Sequence, residues 1–154
     1  MRYYLDTEFD GFGGPLLSMA LVREDGESMY ATMQHDPDKI RDKWVKANVL
    51  PIMRSIPSPF PGAVQLNIRP VELSSLIHWF MDGDREPHII TDWPDDVRYF
   101  CSAIITGPGQ MIALPSLSFD VERVDAYPTS LPNAVQHNAW WDAKALQHKI
   151  MGRN

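Results

Sequence analysis

Residues 2–9 predict a β-strand, in which successive side chains alternate between two different faces. One face carries Tyr4, Asp6 and Glu8, whereas the other carries Tyr3, Leu5, Thr7 and Phe9. Apolar runs predict two further strands at residues 16–23 and 28–33. The Glu-Asp-Gly-Glu segment between them is typical of a turn, so we expect these two strands to form a hairpin.

Helical spacing of apolar residues replaces this alternation beyond the hairpin. Asp36 and Pro37 predict the start of a first helix, with Asp36 as its N-cap. Its apolar stripe would contain Ile40, Trp44 and Ala47. By the same reasoning we expect Trp44, Trp79 and Cys101 to be buried, together with at least one of Trp140 and Trp141.

The second half of the chain predicts three further helices and one short strand. The proline-rich residues 51–70 are expected to form an ordered surface loop, and residues 106–133 receive no assignment. The helices are predicted from about residue 70 to 81, from about 94 to 105 and from about 139 to 150, and the strand at 88–91. Together these elements predict an α/β fold in which helices flank a mixed sheet.

Composition restricts the class of protein. The chain has 154 residues, of which 44% are hydrophobic and 22% charged, and this predicts one globular domain over residues 1–154. No apolar run approaches the roughly 20 residues of a membrane span, and the early acids argue against a signal peptide. The single cysteine excludes an internal disulfide and favours a cytoplasmic location.

The formal net charge of −6 argues against a protein that coats long nucleic acid. It permits a nucleotide or a strand end held through metal ions, because the ions supply the positive charge locally.

Two acids interrupt the apolar stripes of the predicted helices. Asp96 precedes Phe100 by four residues, and Asp142 lies on the inward stripe of the last helix. A buried carboxylate is costly without a partner, and Asp6 and Glu8 add two more acids on one face of the first strand. Oxygen ligands of this kind suit Mg²⁺ or Mn²⁺. Two such ions can together promote phosphodiester hydrolysis.

His137 is the candidate general base for that chemistry, since its ordinary pKa lies near neutrality. It can share a site with Asp142 only if it lies at or before the start of the last helix. Asn138, a good N-cap, would place it there. Two simpler interpretations stay open: Asp96 as a partner of the helix terminus, and His137 as an ordinary surface or packed residue.

Three segments resemble the DEDDh 3′-5′ exonucleases, and most closely the compact exoribonucleases known from mycobacteria. Asp-Thr-Glu-Phe at residues 6–9 resembles their first motif, and His-Asn-Ala-Trp-Trp-Asp-Ala at residues 137–143 resembles their third. Residues 92–96, followed by Phe100, resemble the second motif, in which Asp92 replaces the usual Asn. We assign its acid to Asp96, which keeps the spacing to Phe100, and leave Asp92 and Asp95 as alternatives.

This resemblance implies a ribonuclease H-like fold and a set of roles. Two ions, Mg²⁺ or Mn²⁺, would be bound by Asp6, Glu8, Asp96 and Asp142, and His137 would deprotonate the attacking water. The substrate would be the 3′ end of single-stranded nucleic acid, RNA in preference to DNA, and the product a nucleoside 5′-monophosphate. A homodimer and no membrane partner are expected. The substrate-binding residues would be Thr7, Phe9, Ser18, Met19 and Trp93.

Two other functions remain open at the level of the sequence. One is a nucleotide- or nucleic-acid-binding module whose catalysis has decayed. The other is a phosphatase with Asp6 as nucleophile, although Glu8 stands where that chemistry normally uses a second Asp.

Overall fold

The computed structural model describes residues 1–124 and 131–152, which form a six-stranded mixed sheet flanked by helices. The strands are β1 (Arg2–Phe9), β2 (Leu16–Arg23), β3 (Ser28–Met33), β4 (Gly62–Ile68), β5 (His88–Thr91), β6 (Ile105–Gly107), β7 (Gln110–Met111) and β8 (Ser118–Val121). The α-helices are α1 (Lys43–Asn48), α2 (Pro70–Phe80), α3 (Pro94–Ile104) and α4 (Ala139–Met151), and two short 3-10 helices cover Pro37–Lys39 and Leu50–Ile52.

Strand β1 lies inside the sheet, whose order is β4-β3-β2-β1-β5-β8, while β6 and β7 form a separate pair. Strand β2 runs antiparallel to both of its neighbours, β1 and β3, and β5 lies parallel to β1 on its other side. Strands β4 and β8 add parallel edges next to β3 and β5. The predicted α/β class is confirmed, and the arrangement is compatible with a ribonuclease H-like fold.

The two faces of β1 pack against different helices, as the alternation predicts. Tyr3 and Leu5 belong to the apolar core that contains residues of α2 and α3. Tyr4, on the opposite face, packs in a second core with Trp140 and Leu146 of α4. Asp6 and Glu8 continue the Tyr4 face, and they therefore point toward the side of the sheet covered by α4.

The first helix differs from its prediction. Asp36 does cap a helical turn, but the chain is extended at Ile40, and α1 starts anew with Asp42 as its N-cap. The carboxylate of Asp10, at the end of β1, accepts hydrogen bonds from the backbone N–H groups of Arg41 and Asp42. Because these N–H groups bind Asp10, they cannot donate to the carbonyl groups of a continuous helix. The predicted apolar stripe from Ile40 to Ala47 therefore does not form.

The proline-rich segment also differs, because β4 occupies the end of the predicted loop and pairs with β3. Strands β7 and β8 lie in the unassigned segment 106–133, and β6 begins one residue before it. Residues 125–130 of that segment lie outside the described residues. The other predicted helices and the strand at 88–91 are confirmed, with boundaries within about one residue. Short, partly exposed strands carry too little apolar alternation to be recognised.

Three predictions of burial are wrong. Trp44 and Trp79 are 51% and 63% exposed, and Cys101 is only partly buried. Trp140 and Trp141 are both buried, as predicted for at least one of them. Among the described residues, no helix combines the length and apolar character needed to cross a membrane.

Candidate active site

A cleft of about 370 Å³ opens where the carboxyl ends of the parallel strands β1 and β5 meet the first turns of α3 and α4. Ligand sites of open α/β sheets commonly lie beyond such strand ends. The cleft is lined by Asp6, Thr7, Glu8, Phe9, Asp92, Trp93, Asp96, Arg123, Val124, Gln136, His137 and Asp142. Five of these residues carry carboxylates. The larger pocket, about 590 Å³ between α2 and α3, has a mainly apolar lining without a carboxylate.

Asp6, Glu8 and Asp142 form the first carboxylate group of the cleft. One oxygen from each lies within 4.8 Å of the others. Asp6 and Glu8 come together because alternate residues of β1 share a face, and Asp142 reaches them from the first turns of α4, which packs on that face. The arrangement provides three oxygen ligands for one cation.

Asp6, Asp92 and Asp96 form a second group, in which one oxygen from each again lies within 4.8 Å of the others. Asp6 therefore belongs to both groups, as expected for a carboxylate that bridges two ions. Asp92 was left as an alternative to Asp96 by the sequence, and the structure brings both to the cleft. Asp95 instead accepts hydrogen bonds from Trp93 Nε1 and Arg98 Nε at 3.2 and 3.1 Å.

The Asp96 carboxylate is held by three hydrogen bonds, and the residue is only 1% exposed. Its Oδ1 accepts hydrogen bonds from the Thr7 backbone N–H at 3.1 Å and the Thr7 hydroxyl at 2.6 Å. Its Oδ2 accepts from the Thr91 hydroxyl at 2.5 Å. The predicted inward position of Asp96 is confirmed, and these donors join α3 to the ends of β1 and β5.

Burial and mutual repulsion raise the pKa values of these carboxyl groups. Burial raises the pKa of Glu8 to about 8, with repulsion from Asp142 adding to it. Burial also raises the pKa of Asp142 to about 7, although hydrogen bonding from the His137 backbone opposes the shift. For Asp96, burial raises the pKa to about 7 against the hydrogen bonds from Thr7.

The pKa of Asp6 is raised well above its usual range, first by burial and then by the charges of Asp96 and Asp142. Among the described residues, no Lys or Arg forms an ion pair with any of the five cleft carboxylates. A divalent cation would supply the missing positive charge and favour the ionised forms. The donor set, made of oxygen atoms alone, fits a hard cation.

His137 lies immediately before the N-cap of α4, where the sequence predicts it must lie to meet Asp142. Asn138 caps the helix by accepting hydrogen bonds from the N–H groups of Trp140 and Trp141. The backbone of His137 has a φ of 63°, in the left-handed region, which turns the chain just ahead of the helix. Its ring lines the cleft and lies nearly perpendicular to the Trp44 indole, with ring centroids 4.7 Å apart.

The five predicted substrate-binding residues divide into two sets. Thr7, Phe9 and Trp93 line the cleft, and Phe9 stacks on Tyr99 with ring centroids 4.7 Å apart. Ser18 and Met19 are not among the residues that line the cleft, and both are completely buried within β2. Ser18 lies beside Glu8 in the register of β1 and β2, so its proximity to the site is that of a sheet neighbour.

Two residues near the cleft were not recognised from the sequence. Trp44 was assigned to the core, because the break at residues 40–42 and the new helix start could not be read from the apolar pattern. Arg123 follows β8, a strand that the sequence does not reveal. Its guanidinium carbon lies 4.6 Å from the centre of the Trp93 ring.

The fold and the cleft together define an α/β protein with an acidic site suited to divalent cations. No family model matches the chain. The chain is 44% identical over 54 residues to proteins named 3′-5′ exoribonuclease from the CDC 1551 / Oshkosh and ATCC 25618 / H37Rv strains of Mycobacterium tuberculosis. The match covers 33% of this chain and 32% of each relative. This partial similarity supports a relationship to a nuclease family.

Proposed function

We propose that this chain is a metal-dependent 3′-5′ exonuclease of the DEDDh type, which shortens single-stranded RNA and releases nucleoside 5′-monophosphates. The observation that carries the proposal is the pair of carboxylate groups that share Asp6 in one cleft with His137. The partial similarity to proteins named 3′-5′ exoribonuclease supports the same chemistry. The preference for RNA over DNA and for a free 3′ end belongs to the proposal.

The proposed cofactor is a pair of divalent ions, Mg²⁺ or Mn²⁺. Asp6, Glu8 and Asp142 would hold one ion, while Asp6, with Asp96 and Asp92, would hold the other. When bound, such a pair activates water and neutralises charge on the leaving oxygen. The protein's contribution is to hold the carboxylates in place before the ions arrive, which the hydrogen bonds of Thr7 and Thr91 do for Asp96.

The remaining steps depend on the protein's own side chains. A ring nitrogen of His137 accepts a proton from the water that attacks the terminal phosphodiester. The water oxygen becomes bonded to phosphorus, and the bond from phosphorus to the 3′ oxygen of the preceding nucleotide breaks. Trp44, in edge contact with His137, limits the orientations of the imidazole. A general base so positioned contributes typically 10²–10⁴-fold to rate.

The direct test is the time course of digestion of a short RNA labelled at its 5′ end, with Mg²⁺ or Mn²⁺ present. We expect a ladder that shortens from the 3′ end and nucleoside 5′-monophosphates as the sole small products. Asp6→Asn should abolish the ladder, whereas Asp120→Asn, a substitution on β8 outside the cleft lining, should leave it intact. Full activity in excess EDTA, or an inactive wild-type protein that still binds RNA, would overturn the proposal.

Three further features belong to the proposal. The single sheet with its flanking helices is proposed to act as one exonuclease domain. A cytoplasmic location and a homodimer are proposed from the sequence. Gel filtration with light scattering would measure the oligomeric state directly.

A further inference from the structure

The cleft combines strong negative charge with one cationic side chain at its mouth. Arg123 is the one Arg or Lys among the described residues that line it, and it faces the five carboxylates described above. Divalent ions bound by those carboxylates would be engaged with the phosphate that is cut. A strand with more than one phosphate would bring a second negative charge to the cleft, and Arg123 is the cation that could meet it.

The guanidinium of Arg123 is positioned by an aromatic ring. Its central carbon lies 4.6 Å from the centre of the Trp93 indole, within the range of a cation–π contact. Trp93 is itself held, because its Nε1 donates to Asp95 at 3.2 Å. The contact occupies one face of the indole, and Trp93 is 47% exposed.

Arg123 is exposed beside the cleft that it lines. Within the part of the chain that the structure describes, it forms no ion pair, in contrast to Arg98, which pairs with Asp95 at 3.1 Å. Its positive charge acts on the neighbouring Asp92, where it opposes the effect of burial on the pKa of that carboxyl. An exposed guanidinium fixed on an aromatic ring is well suited to bind a phosphate through two parallel hydrogen bonds.

We propose that Arg123 binds the phosphate next to the scissile one, on the side of the strand that remains after cleavage. The inference rests on the proposed function and assigns a substrate class to it: strands with at least two phosphodiester linkages bind better than those with one. Arg123 is here a substrate-binding residue that makes no contribution to the chemical step. Trp93 keeps the guanidinium at the mouth of the cleft.

The test compares two RNA trinucleotides that differ at one linkage. In one, both linkages are phosphodiesters; in the other, the linkage next to the scissile one is a neutral methylphosphonate. For the wild-type protein, we expect kcat/KM for the first cleavage to fall about 10- to 100-fold with the methylphosphonate, since a hydrogen bond to a charged group is lost. For Arg123→Ala the two substrates should differ by less than threefold, and Arg123→Lys should show an intermediate ratio.

Arg98→Ala is the matched control, because Arg98 also lies over an aromatic ring, 4.4 Å from the centre of Tyr99, but does not line the cleft. This variant should retain the wild-type ratio. If the wild-type protein hydrolyses both trinucleotides and Arg123→Ala retains the wild-type ratio, the role of Arg123 is wrong while the proposed function stands. If the wild-type protein hydrolyses neither trinucleotide, the proposed function is wrong, and the role of Arg123 that depends on it is wrong as well.

Discussion

At the scale of single residues, the cleft depends on side chains that hold other side chains. His137 faces the cleft from a left-handed backbone position, and the Trp44 indole packs nearly perpendicular to its ring. Asp96 is fixed by Thr7 and Thr91. The geometry of the site therefore depends on neighbouring side chains that bind no ion as well as on the acidic residues.

His137 is predicted to contribute to turnover and not to metal affinity. His137→Ala should lower kcat by about 10²–10⁴-fold, since the general base is lost. Thermal stabilisation by Mn²⁺ should remain as in the wild type, because the carboxylates are unchanged. Near-normal turnover in this variant would mean that His137 is an ordinary surface histidine.

Trp44 is predicted to act through His137. Trp44→Ala should lower kcat about 10-fold with little change in KM, and Trp44→Phe should restore most of the rate, because an aromatic edge is retained. Trp79→Ala provides the control, since Trp79 is also more than half exposed but lies on α2, outside the cleft lining. Equal losses in Trp44→Ala and Trp79→Ala would contradict a specific role for Trp44.

At the scale of elements, the segment from residue 36 to α1 is attached to the end of β1 through Asp10. This carboxylate is 4% exposed and accepts hydrogen bonds from the N–H groups of Arg41 and Asp42. Asp42 in turn caps α1, on which Trp44 stands. One buried acid thus connects the strand that carries Asp6 and Glu8 to the helix that contacts His137.

Asp10→Ala should destabilise the protein by about 1–3 kcal/mol, because two backbone donors lose the buried carboxylate that accepts from them. These backbone hydrogen bonds lower the pKa of Asp10 below its usual range. Its contribution to stability is therefore present above the ordinary pKa of an aspartate and decreases as pH falls through the lowered value. Urea denaturation at pH 7, with the exposed cap variant Asp36→Ala as control, measures the difference; equal losses would contradict this role.

The elements also show how far the sequence alone could lead. The alternation over β1 and the apolar stripes of α2, α3 and α4 are direct consequences of two-sided burial, so these elements and the inward position of Asp96 were predictable. Asp10 accepts hydrogen bonds from Arg41 and Asp42 because segments distant in sequence pack together. No local sequence pattern predicts this contact. For this reason the interruption of the first helix, the exposure of Trp44 and the arrival of Arg123 at the cleft required the structure.

At the scale of the whole molecule, the acidic cleft makes stability depend on both pH and cations. The carboxyl groups of Glu8, Asp96 and Asp142 have raised pKa values of about 8, 7 and 7, against ordinary values near 4. The folded, cation-free protein therefore binds more protons than the unfolded chain between about pH 4 and pH 8. Its free energy of unfolding should therefore decrease as pH rises through that range, because rising pH disfavours the state that binds more protons.

Divalent cations should reverse this trend, because they bind the ionised carboxylates of the folded chain. We expect the increase in Tm on addition of Mn²⁺ to be larger at pH 8 than at pH 5. Thermal denaturation in buffers of equal ionic strength, with and without Mn²⁺, checks the prediction. A cation-free protein that gains stability from pH 5 to pH 8 would contradict the electrostatic description of the cleft.

The central claim is that two divalent ions share Asp6, and a calorimetric titration with Mn²⁺ in the presence of a nucleoside 5′-monophosphate tests it most directly. We expect two Mn²⁺ ions to bind to each wild-type chain and no measurable Mn²⁺ binding by Asp6→Asn. Asp95→Asn, in which the altered carboxylate lies on α3 but outside the cleft lining, should still bind two. Unchanged Mn²⁺ binding by Asp6→Asn, or none by the wild-type protein, would contradict the account.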